Sequence, residues 1–125
     1  MSDRFEAGQK RRRQVLGDAH VDRSLGDGTA WDAPLQRLVT EAAWGHAWAG
    51  DEISLRERSM LVLALLAAVG NMEEFELHLR ATARTGASAA DVLEVLKHVA
   101  VYAGAPRALP ASRVAKRVLA EMGAI

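Results

Sequence analysis

His78 is one residue of this sequence whose type and surroundings suit acid–base chemistry. It lies in an apolar stretch and is flanked by Glu76 and Arg80. An imidazole titrates near neutral pH, and a neighbouring charge can tune it as a proton donor or acceptor. The same spacing also fits a core histidine that is hydrogen-bonded to the backbone, and spacing alone favours that simpler interpretation.

His98 and Tyr102 are four residues apart, so a helix would place them on one face. They could present two polar groups to a pocket or form a buried, hydrogen-bonded pair, and the sequence leaves both alternatives open. Several arginines carry planar guanidinium groups that could bind carboxylates or could simply be solvated surface charges. These are Arg56, Arg58, Arg80, Arg84 and Arg107.

Several classes of chemistry lack a sequence signal. The four histidines form no metal-binding spacing, and no nucleophile elbow, phosphate loop or dinucleotide fingerprint is present. The absence of cysteine excludes disulfides, thiolate metal sites and thiol redox cycles. We therefore predict no metal and no cofactor, which leaves cofactor-free acid–base chemistry or binding.

Charge and hydropathy argue against nucleic-acid and membrane partners. The 125 residues carry a formal net charge of zero, and the longest apolar run, Met60 to Val69, falls far short of the roughly 20 residues that cross a bilayer. The basic cluster Lys10 to Arg13 is interpreted as a solvated helix face. Nothing resembles a secretion signal, so a cytoplasmic location is expected.

The elements that must position these residues are predicted to be helices, because sustained alternation of apolar and polar residues is absent. We expect one all-α domain over residues 1–125, a bundle of about six helices. The predicted helices span residues 3–16, about 34–49, 55–69, about 72–85, about 89–103 and about 111–122. Pro106 and Pro110 are taken to rule out a smooth continuation between the last two.

Residues 17–31 are predicted to form a long polar loop. A loop of this length is uncommon unless it binds something or packs at an interface, so His20, Arg23 and Ser24 are functional candidates, although a mere connector is equally open. In the second helix an apolar stripe is predicted, and Trp44 and Trp48 extend it. The stripe consists of Leu35, Leu38, Val39, Ala42 and Ala43.

The third helix is the best-defined element. Ser54 and Glu57 form a capping-box pattern at its start, and Gly70 ends it. After Ser59 it is apolar on all sides, which predicts burial all round in a chain too small to cover it. An oligomer is therefore expected.

Four segments in order resemble the carboxymuconolactone decarboxylase family. They are VLGDAHVDRSL, AAWGHAW, RERSMLVLALLAAVGNMEEFELHLRATARTG and EVLKHVAVYAGAP, which span about residues 15 to 106. The resemblance implies an all-helical, alkyl hydroperoxidase D-like fold and a homo-oligomer, a trimer or hexamer. It also implies cofactor-free decarboxylation of 4-carboxymuconolactone, a small dicarboxylic lactone, in aromatic-acid breakdown. The alternative is a diverged, non-redox member that binds or converts another small carboxylic acid or lactone.

The resemblance makes His78 the candidate acid or oxyanion stabiliser. Candidate carboxylate ligands are Arg23, Arg58 and Arg80, and candidate pocket walls are Trp44, Trp48 and Tyr102. His20 and His98 are reserve candidates.

Related peroxidases carry a CxxC pair, then a histidine four residues later and a glycine eight residues after that. His78 and Gly86 keep the second spacing, but Asn71 and Glu74 occupy the cysteine positions, so a peroxidase function does not transfer. This chain also departs from the decarboxylase pattern at His46, Arg107 and Pro110. Arg107 could contact a carboxylate or point to solvent.

Overall fold

Seven α-helices and one π-helical segment form residues 2–125, the part of the chain that the computed structural model describes; no strand occurs there. The all-α prediction is confirmed. The elements are α1 (Asp3–Leu16), α2 (Asp18–Gly26), α3 (Ala33–Val39), the π-helical segment (Thr40–Ala47), α4 (Leu55–Val69), α5 (Met72–Thr85), α6 (Ala89–Tyr102) and α7 (Ala105–Glu121).

The chain divides into two compact units, an N-terminal unit that ends at Ile53 and a C-terminal unit, Ser54–Ile125. The prediction of one domain over the whole chain stays a prediction. No helix within residues 2–125 is both long enough and apolar enough to cross a membrane.

The C-terminal unit is built around α4, which packs against α5, α6 and α7. Its core is a cluster of buried apolar side chains from all four helices, among them Leu63, Phe75, Leu79, Val92 and Val118. Removing such side chains from water is the main favourable term that holds these helices together.

Side-chain caps fix where α4 and α6 begin. Ser54 Oγ accepts from the Glu57 amide at 3.1 Å, and Glu57 Oε1 accepts from the Ser54 amide at 2.9 Å, so the predicted capping box is confirmed. Ser88 and Asp91 form a second capping box at the start of α6. Each box satisfies amide donors that a helix start leaves without an intrahelical partner.

The exposed side of α4 corrects the prediction that this helix is buried all round. Leu61, Leu65 and Val69 are 56%, 65% and 68% exposed within the chain. They are spaced four residues apart, so they form one apolar stripe on the side opposite the core.

Two glycines allow α1 and the π-helical segment to pack closely in the N-terminal unit. A Cβ atom on Gly8 would collide with the carbonyl oxygen of Thr40, and one on Gly45 would collide with that of Arg4. Both obstacles are backbone atoms, which cannot rotate away as a side chain can. The contact between these two elements therefore depends on the absence of side chains at both positions.

The predicted loop over residues 17–31 is wrong for its first half, because α2 occupies Asp18–Gly26. Arg13 on α1 stabilises this short helix through ion pairs with Asp18 at 3.1 Å and Asp22 at 2.9 Å. Asp18 also lies in the first turn of α2, where a negative charge complements the helix dipole. Together with the burial of Val21, these interactions stabilise a helix in a segment of loop-favouring composition.

The helices predicted as the second and the last in the chain also differ from the structure. The predicted helix over residues 34–49 is α3 followed by the π-helical segment, and Leu35, Leu38 and Val39 are exposed. The change to wider π-helical hydrogen bonding alters the angular spacing, so the predicted stripe does not stay on one face. Helix α7 begins at Ala105, includes Pro106 in its first turn and continues through Pro110. A proline near a helix start removes one hydrogen bond without ending the helix.

We predict that Gly8→Ala lowers the free energy of unfolding by about 1–3 kcal/mol, because the new methyl group must push the backbone of Thr40 away. Gly26→Ala is the matched control, since a Cβ there meets nothing within 4 Å. We expect the control to be neutral or slightly stabilising in urea titrations followed by circular dichroism. Equal stability of the two variants would contradict the close packing.

We predict an acid-dependent contribution from Asp91. The Arg56 guanidinium, which bonds both carboxylate oxygens, and the Ser88 amide hold the pKa of Asp91 well below its ordinary value. A lowered folded-state pKa stabilises the fold above the unfolded-state pKa, and this stabilisation is lost as the pH falls through the folded-state value. The unfolding free-energy difference between wild type and Asp91→Asn should therefore be constant above about pH 5 and shrink below about pH 4.

Arg56→Met tests the cause of this effect, because Arg56 is the largest contributor to the lowered pKa. In an Arg56→Met background, Asp91→Asn should produce a much weaker acid dependence. An unchanged dependence in that background would show that the ion pair is not its source.

Candidate active site around a buried histidine

His78 lies on the buried face of α5. The residues Phe75, His78, Leu79 and Thr82 follow helical spacing and are all buried, with His78 6% exposed. Asn71 fixes the start of the helix, because its side chain accepts from the Glu74 amide at 3.2 Å. The cap and the apolar stripe together determine that the imidazole faces the protein interior.

Burial gives this imidazole properties that exposed histidines lack. Of the histidines, His78 is buried, His20 is half-buried, and His46 and His98 are exposed. A hydrogen bond to a developing negative charge is stronger in a low-dielectric, water-poor environment than in solvent. His78 is thus the histidine with the best surroundings for stabilising an oxyanion or delivering a proton.

Arg80 belongs to a surface network of four charged residues. Its Nη2 lies 3.1 Å from Glu76 and 2.7 Å from Glu121, and Arg117 contacts the same two carboxylates. These contacts lower the pKa values of both glutamates, chiefly through the arginine hydrogen bonds. Substrate recognition by Arg80 stays a prediction, and any substrate carboxylate would compete with the two glutamates.

The other candidates in the C-terminal unit have varied surroundings. Arg58 is half-buried near the start of α4. His98 is exposed with its Nδ1 2.7 Å from the Glu94 carbonyl oxygen, and Tyr102, the last residue of α6, is 87% exposed. The alternative of a buried His98–Tyr102 pair is therefore wrong, and within the chain Tyr102 does not close a pocket.

In the N-terminal unit the structure brings Trp44 and Trp48 together. Both indoles are buried, and their ring centroids lie 5.1 Å apart with an interplanar angle of 27°. This offset stacking makes them a rigid apolar element. Arg23 is exposed and His20 half-buried, both on α2 rather than on a loop.

Arg107 has a structural role that neither sequence alternative included. Its guanidinium lies directly over Gly70, where a Cβ atom would collide with Nη1. Gly70 ends α4, so the positive group lies near the negative end of that helix dipole.

Arg12 is not among the functional candidates that the sequence predicts. The structure buries it with 8% exposure, so the solvated-face interpretation of Lys10 to Arg13 is wrong at this position. Helical periodicity could have identified this position, since Gly8, Arg12 and Val15 share the buried face of α1.

No cluster of three or more potential histidine or carboxylate metal ligands occurs within residues 2–125.

Comparison with known proteins determines the family. The family model described as the carboxymuconolactone decarboxylase family matches residues 33–117. The chain belongs to this family. A 4-carboxymuconolactone decarboxylase from Acinetobacter baylyi is 32% identical over 120 residues, which cover 96% of this chain and 90% of that protein.

Two further relatives are also named as decarboxylases. A nitrosuccinic acid decarboxylase from Metarhizium robertsii is 33% identical over 118 residues, covering 94% of this chain and 82% of that protein. A 4-carboxymuconolactone decarboxylase from Pseudomonas putida is 45% identical over 42 residues, 34% of this chain and 88% of that sequence. All three relatives are decarboxylases, which supports decarboxylase activity at the level of the family.

We predict that Arg80→Met and Arg117→Met behave alike. Both arginines contact Glu76 and Glu121, so each substitution should cause a similar, salt-sensitive decrease in thermal midpoint. Neither should change the KM for a carboxylate substrate by more than about twofold if Arg80 acts only within the network. A KM increase confined to Arg80→Met would instead assign this residue to substrate binding.

Proposed function

We propose that this protein catalyses the cofactor-free decarboxylation of 4-carboxymuconolactone to 3-oxoadipate enol-lactone and carbon dioxide. The observation that carries the proposal is the buried imidazole of His78 in the C-terminal unit of this chain, which belongs to the carboxymuconolactone decarboxylase family. The similarity to a decarboxylase with this substrate, over nine-tenths of both chains, supports it.

The reaction requires stabilisation of one transient anion. The carbon–carbon bond to the departing carboxylate breaks, and its electron pair moves through the ring alkene onto the lactone carbonyl oxygen. A proton then adds to the carbon next to that carbonyl, which restores the neutral lactone. An active site must therefore provide a hydrogen-bond donor for the oxygen and a proton for the carbon.

In this proposal His78 supplies the hydrogen bond to the oxyanion or the proton to the carbon. Its apolar neighbours Phe75 and Leu79 exclude water, so little reorganisation of solvent opposes the charge movement. Arg58, half-buried, is the proposed carboxylate ligand of the C-terminal unit, because partial burial strengthens a charge-assisted hydrogen bond. Carboxylate binding by Arg23 stays a prediction.

A second candidate reaction is the decarboxylation of nitrosuccinic acid. The support is the relative that acts on this compound, whose identity of 33% is as high as that of the muconolactone enzyme from Acinetobacter. The two reactions share a chemical requirement. Loss of carbon dioxide next to a nitro group leaves the electron pair on nitro oxygens, so an oxyanion again needs a hydrogen-bond donor.

We also propose that the protein is a homo-oligomer, a trimer or hexamer. The support is the exposed apolar stripe Leu61, Leu65 and Val69 on α4, since adjacent exposed leucine and valine side chains of this kind commonly mark an interface. The particle mass from light scattering, compared between wild type and Leu65→Glu, tests this assembly.

We predict that His78→Ala lowers kcat by about 10²-fold or more, the usual weight of a positioned proton donor. The assay follows carbon dioxide release from enzymatically generated 4-carboxymuconolactone, with chelator present, and from nitrosuccinic acid in parallel. His98→Ala is the matched control, because this exposed imidazole should leave kcat nearly unchanged.

The two substrates make the outcomes distinct. Turnover of the lactone that His78→Ala abolishes supports the first reaction, and turnover of nitrosuccinic acid alone supports the second. Because His78 is buried, His78→Gln provides a less disruptive variant whose fold is checked by circular dichroism. A correctly folded His78→Gln protein with wild-type kcat would remove His78 from the mechanism.

A further inference from the structure

The N-terminal unit contains a cavity that is built without any residue of the C-terminal unit. Its volume is about 480 Å³, within the size range of small-molecule sites. Its walls come from α1, α2, α3, the turn between α2 and α3, and Thr40 at the start of the π-helical segment. The apolar part of the lining consists mainly of Phe5, Val21, Leu25 and Ala33. The volume suits a compact molecule with an apolar body.

A buried arginine lines this cavity. Arg12 is 8% exposed, and its Nη2 donates to Ser24 Oγ at 3.1 Å, with Ser24 also part of the lining. The adjacent arginines have other directions, since Arg11 reaches Asp51 at 3.8 Å and Arg13 pairs with Asp22. A guanidinium in the lining presents planar donors that match the two oxygens of a carboxylate, and the Ser24 hydroxyl can donate beside it.

Two other charged side chains line the cavity. Arg37 donates from Nε to Glu41 at 2.9 Å, and its guanidinium lies 5.9 Å from the centre of the Phe5 ring. Asp32 accepts from the Thr29 amide at 2.7 Å, a hydrogen bond that lowers the pKa of Asp32 and keeps it ionised. A ligand anion would be repelled by Asp32, so its charge belongs beside Arg12 and its uncharged part beside Asp32.

The wall formed by Gln36 and Thr40 carries a second unusual feature. The helix changes to π-helical hydrogen bonding at Thr40, whose Oγ1 donates to the Gln36 carbonyl oxygen at 2.8 Å. Gln36 and Thr40 both line the cavity. Because π-helical turns are rare and occur often at functional sites, this irregularity is consistent with a binding role for the cavity.

We propose that this cavity binds a small carboxylic acid, with the carboxylate on Arg12 and the Ser24 hydroxyl and an apolar body against Phe5, Val21 and Leu25. The inference concerns residues 5–40 alone and does not depend on the reaction proposed for His78. Its test is accordingly a binding measurement that requires no turnover.

Benzoate is a suitable probe, because it combines one carboxylate with a compact ring. We expect saturable shifts of the Gly28 and Thr29 amide resonances in nitrogen–proton correlation spectra of the full chain, since both residues line the cavity. Arg12→Met should weaken this binding by at least tenfold, the weight of a charge-assisted hydrogen bond, and Arg12→Lys by less. Arg11→Met is the matched control, because Arg11 contacts Ala49 and Asp51 and does not line this cavity, and it should bind within twofold of wild type.

Benzyl alcohol separates recognition of the carboxylate from simple filling of an apolar space. It retains the ring but lacks the anion, so it should bind at least tenfold more weakly than benzoate. Equal binding of the two compounds, or equal weakening by Arg12→Met and Arg11→Met, would overturn the proposal. Absence of saturable benzoate shifts in wild type would overturn it as well.

Ser24→Ala keeps the test decisive if Arg12→Met does not fold. This variant removes one hydroxyl from a half-buried position, so a native spectrum is expected. It should weaken benzoate binding by several fold, in line with the loss of one hydrogen bond. Unchanged affinity in folded Ser24→Ala would overturn the proposed contact.

Discussion

The turn between α4 and α5 is the constraint on which the candidate active site depends. Gly70 adopts a left-handed conformation, with φ near 78°, that ends α4, and the side chain of Asn71 caps α5 one residue later. A turn this short keeps the two helices in contact. Because each residue advances a helix by about 100°, the start of α5 at Asn71 determines which residues share a face. His78 shares the buried face with Phe75 and Leu79.

Packing around this turn involves a charge as well as apolar side chains. Arg107, in the first turn of α7, lies over Gly70 at the end of α4. Two properties of glycine, its left-handed conformation and its lack of a side chain, therefore matter at Gly70. Gly70 permits the turn, and it leaves room for a guanidinium near the negative end of a helix dipole.

Local signals in the sequence were sufficient for most helix boundaries in the C-terminal unit. Ser54 with Glu57, and Gly70, act on the backbone within one helical turn, and the structure confirms the boundaries that they predict. The errors arose where tertiary interactions outweigh composition. Arg13 on α1 stabilises α2 by ion pairs from outside the segment, and Pro110 is tolerated inside α7 because the packing of this helix against α5 and α6 offsets the missing hydrogen bond. Neither effect is visible in a short sequence window.

The candidate functional residues also differ in whether local sequence signals or tertiary interactions determine their surroundings. Helical periodicity places His78 correctly among buried side chains, whereas a run of four basic residues concealed the buried position of Arg12. Arg80 has the residue type that carboxylate binding needs, but its existing partners come from α5 and from the distant Glu121. Residue type and spacing therefore identify which side chains have suitable chemistry. The packing of whole helices determines which of them are available for it.

The start of α5 has a consequence for the conditions under which the fold persists. The sequence resemblance implies that Asn71 and Glu74 stand where related peroxidases carry two cysteines, and the Asn71 side chain accepts a hydrogen bond from the Glu74 amide. A hydrogen-bonded cap does not change its covalent state with the surrounding thiol–disulfide balance, as a cysteine pair does. The helix that carries His78 therefore begins in the same way in oxidising and in reducing surroundings.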